Sequence, residues 1–383
     1  MKRAKRKETT RTNQQCLTKK EDENNQSSIV PMDLIIEILL KVPTESIARF
    51  VLVSKQWSSI IRGKEFTNLY IARSSTRMRL LFTVQMLEEQ FLQSCSQNDP
   101  SSDRHRLNIT PYNHVFAYSP PIRGLICRPM DLKVLVANPS TGQLFTLPRV
   151  KTNRRGVLSF LGYDPVNDVY KVLCMTVLRV HQERGSRVVS EEHQVYTLGV
   201  GQRKWRMVEC KHPHLPPTRT NLPTKGLCIN GILYYYAWIQ NEGALISFDL
   251  ISEEFNVIKL PVDNPCIVNY TGKLAIAGGI NNDGALDLWV LEDASKQEWF
   301  KVSIVVPSWR DLAGTNIGYF RFRGTLSTGE LMFSTPSCVN YYFISYNPKE
   351  NNAKKVVVEG IGDPYNYLEV YFDHVDSPMF LSL

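Results

Sequence analysis

From about residue 130 onward, one unit recurs in this 383-residue sequence: a Gly-containing turn, an apolar strand, an apolar–Asp/Asn–Leu/Pro turn and a closing strand. Its clearest copies start at Asn230-Gly231, Thr271-Gly272 and Thr328-Gly329, and weaker ones run through Lys133–Pro148 and from Gly162 to Val208. The closing strands, near residues 144, 205, 255, 299 and 355, recur every 44–61 residues. Propeller blades repeat at about 40–50 residues, so the spacing fits blades with loop insertions. A β-sandwich also yields short strands and Gly-rich turns, but a recurring unit is the specific expectation of a propeller. The sequence predicts an all-β, propeller-like domain of five or six blades over residues 78–380. Leu368–Asp373 is expected to pair with Arg79–Val84 and close the ring, which removes exposed strand edges. The polar stretch Gln93–Arg106 reads as a loop.

Residues 29–73 are patterned differently. Leu34, Ile35, Ile38, Leu39 and Val42 fall on one face of a short helix that Pro31 opens and Pro43 closes. A second helix carries Ile47, Phe50 and Val51, and Ser54 is placed to cap a third carrying Trp57, Ile60 and Ile61. Helices this short bury one face each, and a segment of about 40 residues encloses little core without a partner, a metal or a disulfide. With no staple motif present, the surplus apolar surface predicts a protein partner. The fold class is therefore α+β and multidomain: a small three-helix module, then the β-domain.

The formal charge of +8 suggests nucleic acid until it is located. Residues 1–20 hold eight Lys/Arg and one Glu, so the remaining chain sums to only +1. The folded part lacks the basic surface that phosphate binding requires, and no nucleic-acid partner is expected. Residues 1–28 have almost nothing to bury and read as a disordered basic tail, with Lys2–Lys7 as a nuclear import patch or a solvated run. No apolar run reaches the ~18 residues of a membrane helix, and no apolar stretch follows the basic start, so a soluble protein of nucleus or cytoplasm is expected. The eight cysteines contain no Cys-x-x-Cys pair and read as small buried hydrophobes.

Catalytic signatures are missing. There is no Gly-Lys-Ser/Thr phosphate loop, no His-Glu-x-x-His and no Gly-x-Ser-x-Gly. Gly199-x-Gly201 has Lys204 where a third glycine belongs and reads as a hairpin turn. Cys210-x-His212-x-His214 fits no common zinc spacing and sits among prolines, so no metal or cofactor is expected. Asp164, Asp168, Glu191 and Glu192 lie at turns or loops, where a solvated role outweighs acid–base work. Gly278-Gly279, with Leu288 and Trp299, is similar to one kelch repeat and informs fold, not activity. Among the aromatics Tyr234–Tyr236, Trp238, Tyr341 and Tyr342, an exposed few would suit recognition.

The run Val30-Pro31-Met32-Asp33-Leu34-Ile35-Ile36-Glu37-Ile38-Leu39, then Val42-Pro43 and Arg49-Phe50-Val51-Leu52-Val53-Ser54-Lys55-Gln56-Trp57, closely resembles an F-box. Asn138–Gln143, Phe160–Pro165, Tyr170–Leu173 and Leu286–Asp293 resemble the type-three F-box-associated domain of plant F-box proteins. The resemblance implies a non-catalytic, substrate-recognition subunit of a Skp–cullin–F-box ubiquitin ligase. It would bind the Skp adaptor, and through it a cullin, by Pro31, Leu34, Ile35, Ile38, Leu39, Val42, Pro43, Ile47, Phe50, Val53, Ser54 and Trp57. The β-domain would hold a target protein that the sequence does not name. Val30, Lys41-Val42 and Glu45 depart from the common F-box pattern, and Glu45, where Lys is frequent, reverses a charge. Two other readings stay open: a propeller interaction protein outside any ligase, and a propeller-fold enzyme acting on a carbohydrate.

Overall fold

The computed structural model describes residues 30–381 except 86–89, 110–117, 155–156, 183–184, 200–203, 215–225, 240–241, 264–265, 315–319, 336–340, 360 and 362–366. The basic tail, the import patch and most of the Gly199–Lys204 turn lie outside the described residues. The chain divides into two compact units, Met1–Val42 and Pro43–Leu383.

The first unit contributes helix α1 (Met32–Leu39). Pro31 stands at its N-cap with φ −52° and ψ 142°, one position earlier than the first-turn place expected. The second unit opens with α2 (Thr44–Phe50), α3 (Lys55–Ile61) and α4 (Lys64–Ser74). Ser54 caps α3 as its type predicts, its Oγ accepting the Trp57 N–H at 3.1 Å. The helical segment therefore has four helices rather than three. Gly63, in extended conformation at the N-cap of α4, separates it from α3. Helix α4 buries Phe66, Tyr70 and Ile71.

The rest is a six-bladed β-propeller. Strands β1 (Arg79–Gln85), β2 (Gln90–Ser96) and β3 (His105–Ile109) form the outer part of blade 1, and β4 (Ile126–Met130), β5 (Lys133–Asn138) and β6 (Gln143–Thr146) belong to blade 2. Blade 3 is β7 (Val157–Asp164), β8 (Val169–Gln182), β9 (Gly185–Thr197) and β10 (Arg206–Val208). Blade 4 is β11 (Leu227–Ile229), β12 (Ile232–Ile239), β13 (Glu242–Asp249) and β14 (Phe255–Lys259). Blade 5 is β15 (Cys266–Tyr270), β16 (Lys273–Ala277), β17 (Ala285–Asp293) and β18 (Glu298–Val305). A short helix α5 (Trp309–Ala313) leads to blade 6: β19 (Arg321–Thr325), β20 (Leu331–Ser334), β21 (Tyr342–Asn347) and β22 (Asn352–Val357). Strand β23 (Tyr367–His374) returns to blade 1 and pairs with β1, placing Leu368 opposite Val84 and Val370 opposite Phe82. The ring closes where the sequence predicted it, and the closing strands fall where the spacing put them. In blade 2, Tyr118–Ile122 runs along the free edge of β4, the Ser119 N–H donating to the Cys127 carbonyl at 2.7 Å.

Strand β2 continues to Ser96 and β3 starts at His105, so the predicted loop shrinks to residues 97–104. Polarity misleads here because side chains of an outer blade find partners of their own. Ser94 Oγ accepts from Arg79 at 3.4 Å, and the Arg106 guanidinium lies 3.7 Å over the Phe91 ring.

Each pair of neighbouring blades shares a separate apolar cluster. Phe160 of blade 3 stacks on Tyr235 of blade 4 at 4.7 Å, and Trp309 meets Phe320 and Phe333 between blades 5 and 6. Phe343 of blade 6 meets Phe372 of blade 1 edge-on at 5.1 Å. Asn230-Gly231 makes a two-residue hairpin with both residues at positive φ, the mirror-image turn whose twist matches the strands. At Gly231 a Cβ would sit 2.9 Å from Pro165 Cδ of the preceding blade, so glycine is required twice over.

Candidate functional site

Helix α1 shows two apolar rows. Ile35 and Leu39 are buried, while Leu34 and Ile38, one turn apart, are each 53% exposed. Rows at i and i+4 of this kind present a continuous stripe to anything laid along the helix. Pro31 and Met32 are also exposed beside it.

In the second unit, the turn from α2 to α3 exposes Leu52 and Val53, with Pro43 and Ser54. Phe50 and Trp57 are half-buried and meet edge-to-face at 5.2 Å. Ile47 is fully buried. Of the residues predicted to touch an adaptor, Pro31, Leu34, Ile38, Pro43, Val53 and Ser54 are thus at the surface, and Val42, Phe50 and Trp57 are partly so. Ile35, Leu39 and Ile47 are buried. Apolar periodicity alone cannot separate the two rows.

Glu45 also behaves differently from its reading as a misplaced surface charge. Its Oε1 lies 3.1 Å from Nε2 of His105, which is at the same distance from Asp103 Oδ1. The adjacent Thr44 shares a buried 3.0 Å hydrogen bond with the Tyr70 hydroxyl, tying α2 to α4. Burial pushes the Tyr70 hydroxyl up to about 12.

Helix α4 is fastened to blade 3 by polar contacts. Asn68 Nδ2 donates to Asp168 Oδ2 at 3.2 Å, Lys64 Nζ donates to the Asp168 carbonyl at 3.2 Å, and Tyr163 donates its hydroxyl proton to Asp168 Oδ1. Arg123 donates to Asn68 Oδ1 and lays its guanidinium 4.3 Å over the Tyr163 ring. Partial burial would raise the Asp168 carboxyl, but the Tyr163 and Asn68 hydrogen bonds outweigh it and hold the group below the usual carboxylate range. Asp168 is thus a structural acceptor at a left-handed turn position, φ 51°, not a solvated surface charge.

The other carboxylates read as solvated are likewise engaged. Asp164 is fully buried: Oδ1 accepts the Val166 and Asn167 N–H groups at 3.0 Å each, and Oδ2 faces Lys171 Nζ at 3.4 Å. Glu192 accepts from Thr152 at 2.7 Å and Thr176 at 2.9 Å. The Glu191 side chain lies outside the described residues.

These contacts fix which end of the ring α4 occupies. Arg123, Gly231, Gly272 and Gly329 all lie in turns at one end, around a mouth that Ile71 of α4 also lines. The connections β8–β9, β12–β13, β16–β17 and β20–β21 leave from the opposite end. There a 760 Å³ groove between blades 5 and 6 is lined by Gly278, Asp287, Trp289, Lys301 and Arg321. Trp238, near the end of β12, is exposed and packs edge-on against Tyr236 at 5.5 Å. Of the other aromatics singled out in sequence, Tyr234, Tyr235, Tyr341 and Tyr342 are core.

Comparison with known proteins agrees with this architecture. Residues 28–69 match the F-box domain, and residues 79–375 match the F-box associated beta propeller domain. An F-box/kelch-repeat protein of Arabidopsis thaliana is 47% identical over 382 residues, covering 95% of this chain and 96% of that one. Two further Arabidopsis thaliana F-box proteins are 34% identical over 382 residues and 36% identical over 408, each covering more than 90% of both chains. With helices ahead of a ring closed by its last strand and both domain patterns matched, this chain belongs to the F-box proteins that carry an F-box-associated β-propeller.

Proposed function

We propose that the chain is the target-recognition subunit of a Skp–cullin–F-box ubiquitin ligase, docking a Skp adaptor through its helices and holding a target protein on the propeller. The observation that carries this reading is the half-exposed row of Leu34 and Ile38. Leu34 and Ile38 form one continuous apolar row, and a partner surface that covers it gains its burial. A stable adaptor interface needs at least about 1,000 Å², more than one helix supplies, so the exposed Val53 and the Phe50–Trp57 edge are included among the proposed adaptor contacts.

The target is assigned to the end of the ring opposite α4, where the groove between blades 5 and 6 and the exposed Trp238 offer recognition surface. Transfer of ubiquitin is then promoted by proximity: the chain raises the local concentration of target beside the conjugating enzyme and contributes no reacting group. The fastening of α4 to Asp168 serves this role by fixing the propeller's orientation on that helix.

Co-purification tests the reading. Leu34→Asp places a carboxylate in the row and should abolish recovery of the adaptor with the full chain, while the propeller keeps its wild-type melting transition. Undiminished recovery would remove the docking assignment.

A further inference from the structure

Sequence spacing alone leaves Cys210-x-His212-x-His214 without a metal pattern. The fold supplies the missing member. His193, on β9, is brought beside Cys210 and His214, which follow β10, and one donor atom from each of the three lies within 4.8 Å of the others. The Cys210 Sγ is 4.0 Å from His214 Nδ1, and the two imidazole rings are 5.1 Å apart. We propose that His193, Cys210 and His214 form a zinc(II) site that clamps the segment after β10 onto blade 3.

Three observations support this assignment. First, the donors are chemically suited: two imidazoles and one thiol are a borderline-to-soft set that favours zinc over calcium or magnesium. Second, His214 is already oriented by its neighbours. A carbonyl only accepts, so Nδ1–H donates to the His212 carbonyl at 2.7 Å, and Nε2 accepts from the Tyr235 hydroxyl at 3.0 Å, a bond that a metal on Nε2 would replace. An imidazole whose second nitrogen is anchored to a backbone carbonyl is the common outer-shell arrangement of metal-bound histidines. Third, the place needs a fastener. Strand β10 has three residues, against 14 in β8 and 13 in β9, so it holds the outer edge of its blade by few ladder bonds.

Zinc at about 2.0–2.3 Å from its ligands sets tetrahedral donors about 3.3–3.8 Å apart, so the widest pair must close by about 1 Å. Rotation of the Cys210 side chain, partly exposed at the edge of the cluster, supplies that closure. Binding is accompanied by loss of the thiol proton to solvent, leaving two neutral nitrogens and one thiolate on the metal. Water, or the exposed His212, completes the tetrahedron. Because Tyr235 belongs to blade 4, the clamp sits at the seam of two blades.

The test uses the full chain with any affinity tag removed, stripped with a chelator and titrated with cobalt(II), then with zinc against a chromophoric chelator. About one equivalent of zinc and a thiolate-to-cobalt charge-transfer band are expected. Cys210→Ser should abolish the band and weaken zinc binding at least about tenfold, since even outer-shell changes at metal sites cost that much. Cys228→Ser, at a cysteine outside the cluster, should change neither. His193→Gln should also lose the metal; if it does not fold, the Cys210→Ser comparison decides, because that change is small and partly exposed. Wild-type protein that shows no charge-transfer band, or binds zinc no better than Cys210→Ser, overturns the proposal.

Discussion

Asp168→Asn probes how α4 is held to the ring. The wild-type carboxylate accepts from Asn68 on one oxygen and from Tyr163 on the other. An amide keeps one acceptor and turns the second position into a donor. If its oxygen serves Tyr163, its NH2 opposes the Asn68 NH2, and flipping Asn68 would take the acceptor away from Arg123. One charge-assisted hydrogen bond is therefore lost whichever way the amide lies. Such bonds contribute about 1.5–3 kcal/mol, and with the Asp168 side chain 32% exposed the cost is discounted to about 1–2 kcal/mol. If α4 opens locally, amide exchange in Asn68–Ser74 should rise about 5- to 30-fold at pH 7, with the blades distant from blade 3 unchanged. The sign with pH follows from the depressed carboxyl. Its stabilisation is fully present above the unfolded pKa near 3.9 and is lost as pH falls through the lower folded value. The gap between wild type and Asp168→Asn should stay constant from pH 7 to about pH 5 and narrow below about pH 4. Exchange in α4 within twofold of wild type at pH 7, or a rise spread evenly over all six blades, would refute the reasoning.

Two further substitutions test the seam between blades 3 and 4. Lys171 faces the buried Asp164 at 3.4 Å and Glu253 at 3.0 Å, so Lys171→Met strands a buried carboxylate and should cost about 3–5 kcal/mol, read as a lower denaturation midpoint in urea; a midpoint equal to wild type would mean the pair is not desolvated as described. Gly231→Ala forces a Cβ into a φ of +81° and to 2.9 Å from Pro165, and should lower Tm by about 2–4 °C, with an unchanged Tm counting against the tight turn.

The ring was legible in sequence because its signals are local and repeated. Asn-Gly and Thr-Gly turns between apolar runs specify hairpins, and the non-local pairing of β23 on β1 follows once the repeat is recognised, since an unclosed propeller would leave two edges. What the sequence hides is which polar groups the fold turns inward. Asp164 and Asp168 sit in turns of the kind that carry solvated carboxylates, yet one is buried against Lys171 of the next strand and the other receives Asn68 from a helix 100 residues earlier. Their partners are fixed by blade packing, for which spacing gives no cue. The same holds for His193, whose neighbours come from a different strand. On α1 the pattern located the apolar face but not its division, because Ile35 and Leu34 are chemically alike and only burial distinguishes them.

That division bears on how the two ends of the ring share the work. Several turns at the α4 end are short and fixed: Asn230-Gly231 and Thr271-Gly272 are two-residue hairpins, and Asp168 is held by three polar neighbours, Lys64, Asn68 and Tyr163. Short hairpins tolerate little change in length without losing strand register, so this end is suited to carrying a constant partner at a constant angle. The opposite end is built from the connections between blades and between second and third strands; β4–β5 and β12–β13 turn tightly there, with Met130 opposite Lys133 and Ile239 opposite Glu242, while the connections between blades, β16–β17 and β20–β21 are longer. Sequence there can vary while Phe160, Tyr235, Trp309 and Phe343 keep the blades packed, because those side chains lie in the seams and not in the connections. Under the proposed function, mutations that alter target choice should therefore fall around Trp238 and the Gly278–Arg321 groove, not around Asp168.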